Sequence, residues 1–264
     1  EETLKQAARG EHLSTLAWSE KGSRSHFWAP VSQAEAKNGN VTLRASKSWV
    51  TSAGEANGYV VSTRTVGSQD AMDTVLYLLL KDDPGLKVSG AWNSLGMRGN
   101  ASSPMTLENC EISSERALCE PGKGFPRMLE ILPWFSLGNA AISSGIAEAA
   151  TQATIAHVTK APLEHLGSRL ADLPILRARL AQMRIDTDRA RAFLGAALDA
   201  VESGAPNAML LVLASKAAGS EAAVNVTDRA MQTCGGAAFS KHLTLERNFR
   251  DARAAGIMAP TSDV

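Results

Sequence analysis

The sequence has few of the features that mark several large classes of protein. It contains three cysteines in 264 residues, an odd number without the spacing of a metal site. Lysine plus arginine and aspartate plus glutamate both number 27, so the formal net charge is zero. The first observation disfavours a disulfide scaffold or zinc domain, and the second disfavours a basic nucleic-acid-binding surface. We expect a small-molecule ligand, with no nucleic acid and no membrane as partner.

Long hydrophobic segments are also scarce. Apolar runs such as Val75–Leu80 are far shorter than the roughly 20 residues that span a bilayer. The first residues lack the basic-then-apolar order of a signal peptide. The composition, 44% hydrophobic and 20% charged, is that of a globular protein. We therefore expect a cytoplasmic protein with an ordinary hydrophobic core.

Residues 13–118 have the pattern of a β domain. Frequent turn signals, such as Asn38-Gly39-Asn40 and Asp83-Pro84-Gly85, separate short apolar stretches that are rich in β-formers. The stretches that we predict as strands are Val41–Leu43, Tyr59–Thr63, Thr74–Leu80 and Met105–Ile112. Strands of this length are typical of a small β-barrel.

After Pro121–Gly124 the pattern becomes helical. An apolar residue recurs every three or four positions from Leu173 to Val201, which predicts a long amphipathic helix. Stretches rich in small residues predict two more helices, at Leu137–Val158 and at about Asn207–Cys234. The fold class is therefore α+β, with a small β-barrel domain (13–123) followed by a C-terminal antiparallel helical bundle (124–264). Residues 1–12 are interpreted as the end of a preceding helix or linker.

Five short motifs occur in an order that resembles one enzyme family. They are Leu16–Ser25, Lys47–Ser52, Leu95–Gly99, Gln232–Gly236 and Phe249–Arg253. In sequence and order they are similar to the L-T-E-P-G-x-G-S-D, K-x-W-I-T-N, L-G-M-R, Q-x-x-G-G and Y-R-D-A segments of the acyl-CoA dehydrogenase superfamily. The resemblance implies an FAD-dependent oxidoreductase, a flavoprotein that acts on an acyl-CoA thioester. It also implies a homo-oligomer, dimer or tetramer, and an N-terminal helical domain that we expect to be absent from this chain.

The resemblance assigns site residues to both halves of the chain. Ser19, Trp49 and Thr51 would contact the flavin, and Ser25 the substrate. Gln232, Gly235 and Gly236 would reach the dinucleotide part of another subunit's FAD. An aromatic wall and hydroxyl groups suit a flavin ring, and we expect Trp49 and Thr51 to share a strand face. A buried aromatic, a polar loop and a glycine at a helix end are the structural alternatives for these residues.

Two family positions are occupied by unexpected residues. The family's Y-E-G-T segment aligns with Met258–Thr261, which places Ala259 where the catalytic glutamate would be. Some relatives carry that glutamate near Phe135-Ser136, and neither residue is acidic; the nearest acid, Glu130, is interpreted as an exposed side chain. The family's R-x-x-F-G signature aligns with Leu163–Gly167, which lacks the arginine. The catalytic residues are therefore unknown.

Three functions remain open. The first is a flavin oxidoreductase of this fold that does not use the usual base, including flavin-dependent monooxygenases. The second is an acyl-CoA dehydrogenase whose base comes from another position, such as Glu130. The third is a non-catalytic subunit of a mixed oligomer.

Overall fold

Residues 2–24 and 26–262 are described by the computed structural model, and these residues form seven α-helices and nine β-strands. The helices are α1 (Glu2–Ala8), α2 (Gly124–Val158), α3 (Pro174–Glu202), α4 (Ala208–Cys234), α5 (Gly236–Phe239), α6 (Leu245–Asp251) and α7 (Ala254–Ile257). The strands are β1 (Ser14–Ala17), β2 (Glu35–Lys37), β3 (Asn40–Val50), β4 (Gly58–Arg64), β5 (Thr74–Leu80), β6 (Leu86–Val88), β7 (Ser103–Ser113), β8 (Pro162–Leu163) and β9 (Ser168–Arg169).

The chain divides into two compact units. The β unit comprises the residues up to Ser94 together with Arg98–Ile131, and the helical unit comprises Leu95–Met97 and the residues from Leu132 onward. The division therefore falls inside α2, whose first residue is Gly124. The predicted α+β order, with the β domain first, is confirmed.

The β unit contains two sheets around one core. One sheet has the order β1-β4-β5, and the other has the order β2-β3-β7-β6. The inward residues of both sheets form a single buried cluster, in which Leu43, Tyr59, Leu79 and Met105 are at most 2% exposed. The four predicted strands all lie within observed strands, and β5 has the predicted bounds.

β3 is long but not regular. Its pairing with β7 is interrupted between Leu43 and Ala45 and again between Lys47 and Val50. A bulge adds a residue to one strand and changes the direction of the side chains that follow. Simple alternation of faces therefore fails near the end of β3.

The helical unit is built on three long helices that pack closely. Met183 of α3 and Val226 and Ala230 of α4 are fully buried in its core. A Cβ atom on Gly219 would lie 3.3 Å from the Cα atom of Ala140, so the small residues do allow helices to approach, as predicted. The helices predicted at 173–201 and 207–234 are confirmed, whereas α2 begins at Gly124 and continues through Pro133, earlier than predicted.

Among the described residues, one helix is long and apolar enough to cross a membrane by length and composition alone, namely α4. Its buried residues include Val212, Lys216 and Val226. The three cysteines are free, and burial raises the pKa of the Cys110 and Cys234 thiols. A raised pKa keeps a thiol protonated and weakly nucleophilic.

Candidate functional site

Two aromatic rings form an exposed apolar surface on the β unit. Trp49 is 68% exposed, and its ring meets that of Trp92 edge to face, with centroids 5.5 Å apart. The φ angle of Trp49 is 59°, a left-handed conformation that is unfavourable for a bulky residue. Strained residues cluster at functional sites, where the surrounding structure holds them in place. An indole that is both exposed and strained is typical of a binding surface.

Thr51 does not share a strand face with Trp49, so that prediction was wrong. β3 ends at Val50, and Thr51 begins the turn that follows. Its Oγ1 lies 3.3 Å from Ser102 Oγ, which in turn accepts a 2.7 Å hydrogen bond from Asn100 Nδ2. Thr51 therefore offers a hydroxyl group from an exposed turn rather than from the strand.

Ser19 lies beside the strand that carries Trp49. The carbonyl oxygen of Ser19 accepts a 2.9 Å hydrogen bond from the amide of Ser48, the residue before Trp49. Ser19 is half-buried, with part of its surface open to solvent. The structure therefore places Ser19 beside the segment that carries Trp49 and Thr51.

A buried ion pair, which the motif analysis missed, joins the two segments that carry these residues. Lys47 Nζ lies 2.6 Å from Glu20 Oε1, and both side chains are at most 1% exposed. Lys47 also donates to the carbonyl of Ser62 at 2.5 Å, while Glu20 Oε2 accepts 2.8 Å hydrogen bonds from the amides of Val31 and Ser32. Burial lowers the pKa of Lys47, and the charge of Glu20 acts in the opposite direction. Because both charges are hydrogen-bonded, the pair holds the segment that carries Ser19 next to the segment that carries Trp49.

The signal for this pair was present in the sequence. Glu20 directly follows Ser19, and Lys47 stands two residues before Trp49. Each charge therefore lies inside a motif that was assigned to the cofactor. Sequence alone does not distinguish such a pair from exposed charges, because the two residues are remote along the chain.

A cavity of about 430 Å³ in the β unit has two arginines and a histidine among its nine lining residues. Arg24, His26 and Arg64 lie on its walls, and Arg24 has a left-handed φ of 53°. Arg64 donates from Nη2 to the carbonyl of Val31 at 2.9 Å, while its buried Nε has no partner among the described residues. Ser25, predicted to contact the substrate, lies outside the described residues. The cavity has the charge to hold an anion.

The predicted dinucleotide residues lie together at the end of α4 in the helical unit. Gln232 is exposed in the last turn, and Gly235 ends the helix with φ 50° and ψ −130°. This conformation favours glycine. A Cβ atom on Gly235 or Gly236 would meet nothing within 4 Å, so the backbone here is open to a ligand. The segment with the missing arginine, Leu163–Gly167, forms a short 3₁₀ turn that ends at Gly167.

Position 259 lies just after α7. Ala259 is half-buried and has no group that can accept a proton. Glu130 is 62% exposed and pairs with Arg127 at 2.9 Å, in agreement with its interpretation as a surface acid. Ser136 is fully buried, and its hydroxyl has no partner among the described residues. No buried carboxylate is therefore present at Ala259, Glu130 or Ser136, the three positions considered for the base.

Two further motifs meet inside the helical unit. The amide of Met97 donates to Asp251 Oδ1 at 2.7 Å, and Arg250 Nη1 donates to the carbonyl of Leu95 at 2.8 Å. A Cβ atom on Gly96 would lie 2.4 Å from the carbonyl oxygen of Arg250. Only glycine fits this contact, which explains one glycine of the Leu95–Gly99 motif.

Comparison with family models gives two matches. The model described as "Acyl-CoA dehydrogenase, middle domain" matches residues 15–110. The model described as "Acyl-CoA dehydrogenase, C-terminal domain" matches residues 122–264. Together they cover both units.

Individual relatives agree with these models. The chain is 29% identical over 258 residues to the probable acyl-CoA dehydrogenase FadE25 of Mycobacterium tuberculosis, covering 98% of this chain and 66% of the relative. It is 30% identical over 255 residues to the short-chain specific acyl-CoA dehydrogenase, mitochondrial, of Bos taurus, covering 97% of this chain and 61% of the relative. This chain therefore spans less than two thirds of either relative.

A solved structure has the same fold. It comes from work titled "Electron transferring flavoprotein of Acidaminococcus fermentans: Towards a mechanism of flavin-based electron bifurcation". The TM-score is 0.92 at 26% identity, and the match covers 98% of this chain and 68% of the other.

Proposed function

Because the chain belongs to the acyl-CoA dehydrogenase family, we propose that it is part of an FAD-dependent oxidoreductase that acts on an acyl thioester without a proton acceptor at position 259. The observation that carries the proposal is the exposed, strained indole of Trp49, which lies within a family motif and beside Ser19. The relatives of this chain are named as acyl-CoA dehydrogenases. Flavin chemistry on a thioester is the activity that these features support best.

The β-unit residues fit a flavin in shape and in polarity. A flavin ring requires a flat apolar wall and hydrogen-bonding groups at its polar edge. Trp49 supplies the wall, held edge to face by Trp92, and the hydroxyl groups of Ser19 and Thr51 supply donors near it. FAD, when bound, supplies a two-electron acceptor. The role of these residues is to orient that acceptor and to cover one of its faces.

The end of α4 fits an approach to the phosphate part of another subunit's FAD. The open backbone of Gly235 and Gly236 admits a ligand closer than a side chain would allow, and Gln232 offers an exposed amide beside them. The family's arginine is replaced in Leu163–Gly167, so this end would hold the dinucleotide by backbone contacts more than by charge.

The two arginines that line the β-unit cavity support a substrate with an anionic carrier group. Arg24, His26 and Arg64 line it, and arginine is well suited to phosphate because its planar donors can bind two oxygens at once. The carrier portion of a CoA thioester bears phosphates. This cavity would therefore anchor the carrier end of the substrate, with Ser25 as the proposed contact nearby in sequence.

The chemistry at position 259 distinguishes this chain from a dehydrogenase with a glutamate there. Dehydrogenation of an acyl thioester removes a weakly acidic proton next to the thioester carbonyl, and a positioned carboxylate normally accepts it. The side chain of Ala259 has no lone pair for this purpose. We propose that the proton passes to solvent water instead of to the side chain at position 259, so that dehydrogenation is slow.

Ala259 also favours a second candidate, a flavin-dependent monooxygenase of the same fold. Such an enzyme needs the residues that bind the flavin, but it does not need the glutamate that serves as the base in the family. The retained Ser19, Trp49 and Thr51 together with the replaced glutamate match this requirement. Oxygen consumption with a flavin reductase distinguishes the two candidates.

The remaining features are proposals of the same kind. We propose a homo-oligomer, dimer or tetramer, because Leu210, Phe239 and Ile257 leave large apolar surfaces 68%, 82% and 78% exposed on the helical unit. We also propose a cytoplasmic location without nucleic-acid or membrane partners, which the balanced charge and the short apolar runs of the sequence support.

The test is a single substitution, Ala259→Glu, in the purified FAD-loaded protein. Acyl-CoA oxidation with an artificial electron acceptor should rise about 100-fold or more, since a general base contributes roughly 10²–10⁴ in rate. The control is Ala259→Gln, which has the same shape without a base and should stay at the wild-type rate.

Three results would contradict the proposal. Equal rates in the glutamate and glutamine variants would show that position 259 does not face the reacting carbon. A wild-type protein that oxidises acyl-CoA as fast as the glutamate variant would require a base elsewhere in the protein. A protein that binds no FAD would be the non-catalytic subunit.

A further inference from the structure

Lys216 is a buried lysine in the middle of α4. It is 2% exposed, and burial lowers its pKa to about 8. A buried ammonium group is costly unless its protons are hydrogen-bonded. None of the described carboxylates, at residues 2–24 and 26–262, forms an ion pair with it. Its stabilisation must therefore come from another kind of partner.

Three backbone carbonyls accept its hydrogen bonds. Lys216 Nζ lies 2.8 Å from the carbonyl oxygen of Ala255, 2.9 Å from that of Met258 and 2.7 Å from that of Pro260. An ammonium group has three donors, so the three carbonyls match its full capacity. All three acceptors belong to one short segment, and they lie on both sides of Ala259 in sequence.

The segment needs these donors. α7 has only four residues, and the last carbonyls of any helix have no partner within the helix itself. The chain after Met258 is not in a regular element. Lys216 therefore supplies hydrogen bonds that α7 and the residues after it cannot make among themselves.

A second side chain of α4 holds the far end of the same segment. Ser220 Oγ lies 3.0 Å from Ser262 Oγ, and the amide of Ser262 donates to the carbonyl of Gly256 at 3.1 Å. Lys216 and Ser220 are four residues apart and so lie on one helix face. The two side chains bracket position 259, with anchors before it and after it.

We infer that Lys216 is a positioning residue that fixes the backbone of residues 255–260 and thereby sets where the side chain at position 259 points. The support is made to the backbone, so it is independent of which side chain stands at 259. The relevance of position 259 to the reaction rests on the proposed function, whereas the support of the segment does not.

Hydrogen–deuterium exchange of the purified protein, resolved by peptide mass spectrometry, tests this inference without any activity measurement. Lys216→Met keeps the length of the side chain and removes all three donors. We expect exchange of the amides at 255–262 to rise about tenfold or more, with the peptides of α3 unchanged. The matched control is Lys160→Met, at an exposed residue in the turn just after α2, which should change neither region.

A second variant covers the case in which Lys216→Met does not fold. Ser220→Ala leaves the lysine in place and should raise exchange only at the Ser262 end of the segment, by a smaller factor. The inference is overturned if the amides at 255–262 of Lys216→Met exchange at rates within twofold of those in the wild-type protein. It is also overturned if both variants raise amide exchange equally across the whole helical unit. Neither outcome depends on whether the protein oxidises acyl-CoA, so this failure is distinguishable from failure of the proposed function.

Discussion

Lys47 in the β unit and Lys216 in the helical unit are both buried, but their protons are satisfied in different ways. Lys47 pairs with a carboxylate, Glu20, that is itself buried and hydrogen-bonded. Lys216 bonds to three carbonyls of one backbone segment. In the ion pair, each buried charge is stabilised by the other side chain. The lysine that bonds to carbonyls instead stabilises the conformation of a backbone segment.

The same contrast extends to the way each unit holds its functional segments. The β unit joins the Ser19 and Trp49 segments through a side-chain ion pair. The helical unit places residues 95–97 against α6 at a glycine that admits no side chain, and the backbone of Leu95 and Met97 is hydrogen-bonded to the side chains of α6. The β unit should therefore be most sensitive to loss of a charge, and the helical unit to small changes near its backbone.

The largest effect is expected from Lys47→Met, which leaves Glu20 buried without its cation. Removing one partner of a buried pair costs about 3–5 kcal/mol, measured as the free energy of unfolding in urea. The control is Lys87→Met, because Lys87 also pairs with a glutamate, at 2.6 Å, but is 62% exposed. That change should cost less than about 1 kcal/mol. If both variants lose the same free energy of unfolding, burial does not make the Lys47 pair more important than an exposed pair.

An intermediate effect is expected from Gly96→Ala in the helical unit. The new Cβ atom would lie 2.4 Å from the carbonyl oxygen of Arg250, so the backbone must move, at a cost of about 1–3 kcal/mol. Gly138→Ala in α2 is the control, since a Cβ atom there meets nothing within 4 Å. It should stabilise the protein by about 0.5–1 kcal/mol, as expected for a glycine in a helix. The measurement is the midpoint temperature of thermal unfolding. A shift of that temperature in the same direction for both variants would contradict this account.

The smallest effect on stability is expected from Trp49→Ala. The side chain is exposed, and its ring contact with Trp92 contributes about 1 kcal/mol. Its effect should instead be on FAD affinity, which we expect to fall severalfold in a fluorescence titration. Leu4→Ala, at a residue 74% exposed in α1, should leave the affinity unchanged. If Trp49→Ala binds FAD with wild-type affinity, the indole is not part of the binding surface.

Much of the fold was predictable, because local patterns specify it. Thr74–Leu80 is a short run of β-formers between turn signals, and the structure places β5 at those residues. The recurring apolar positions from Leu173 to Val201 likewise correspond to α3. Periodicity is a local property, so one sequence is enough to detect it.

The arrangement of the site was only partly predictable. The motifs located Ser19, Trp49 and Thr51, but β3 ends at Val50 and Thr51 lies in the turn that follows, not on the strand. Lys216 was not singled out, although it is a lone charge in an apolar stretch of α4. Its partners lie about 40 residues further along the chain, and only the tertiary structure brings them together.

The visible absorption spectrum of the purified protein after reconstitution with FAD, followed by anaerobic addition of an acyl-CoA, tests the central claim most directly. We predict the bands of an oxidised flavin, and we predict that they bleach only slowly after the acyl-CoA is added, because the side chain of Ala259 cannot accept the proton. A spectrum without flavin, or flavin bands that bleach rapidly in the wild-type protein, would contradict the account of a flavoprotein that lacks a base at position 259.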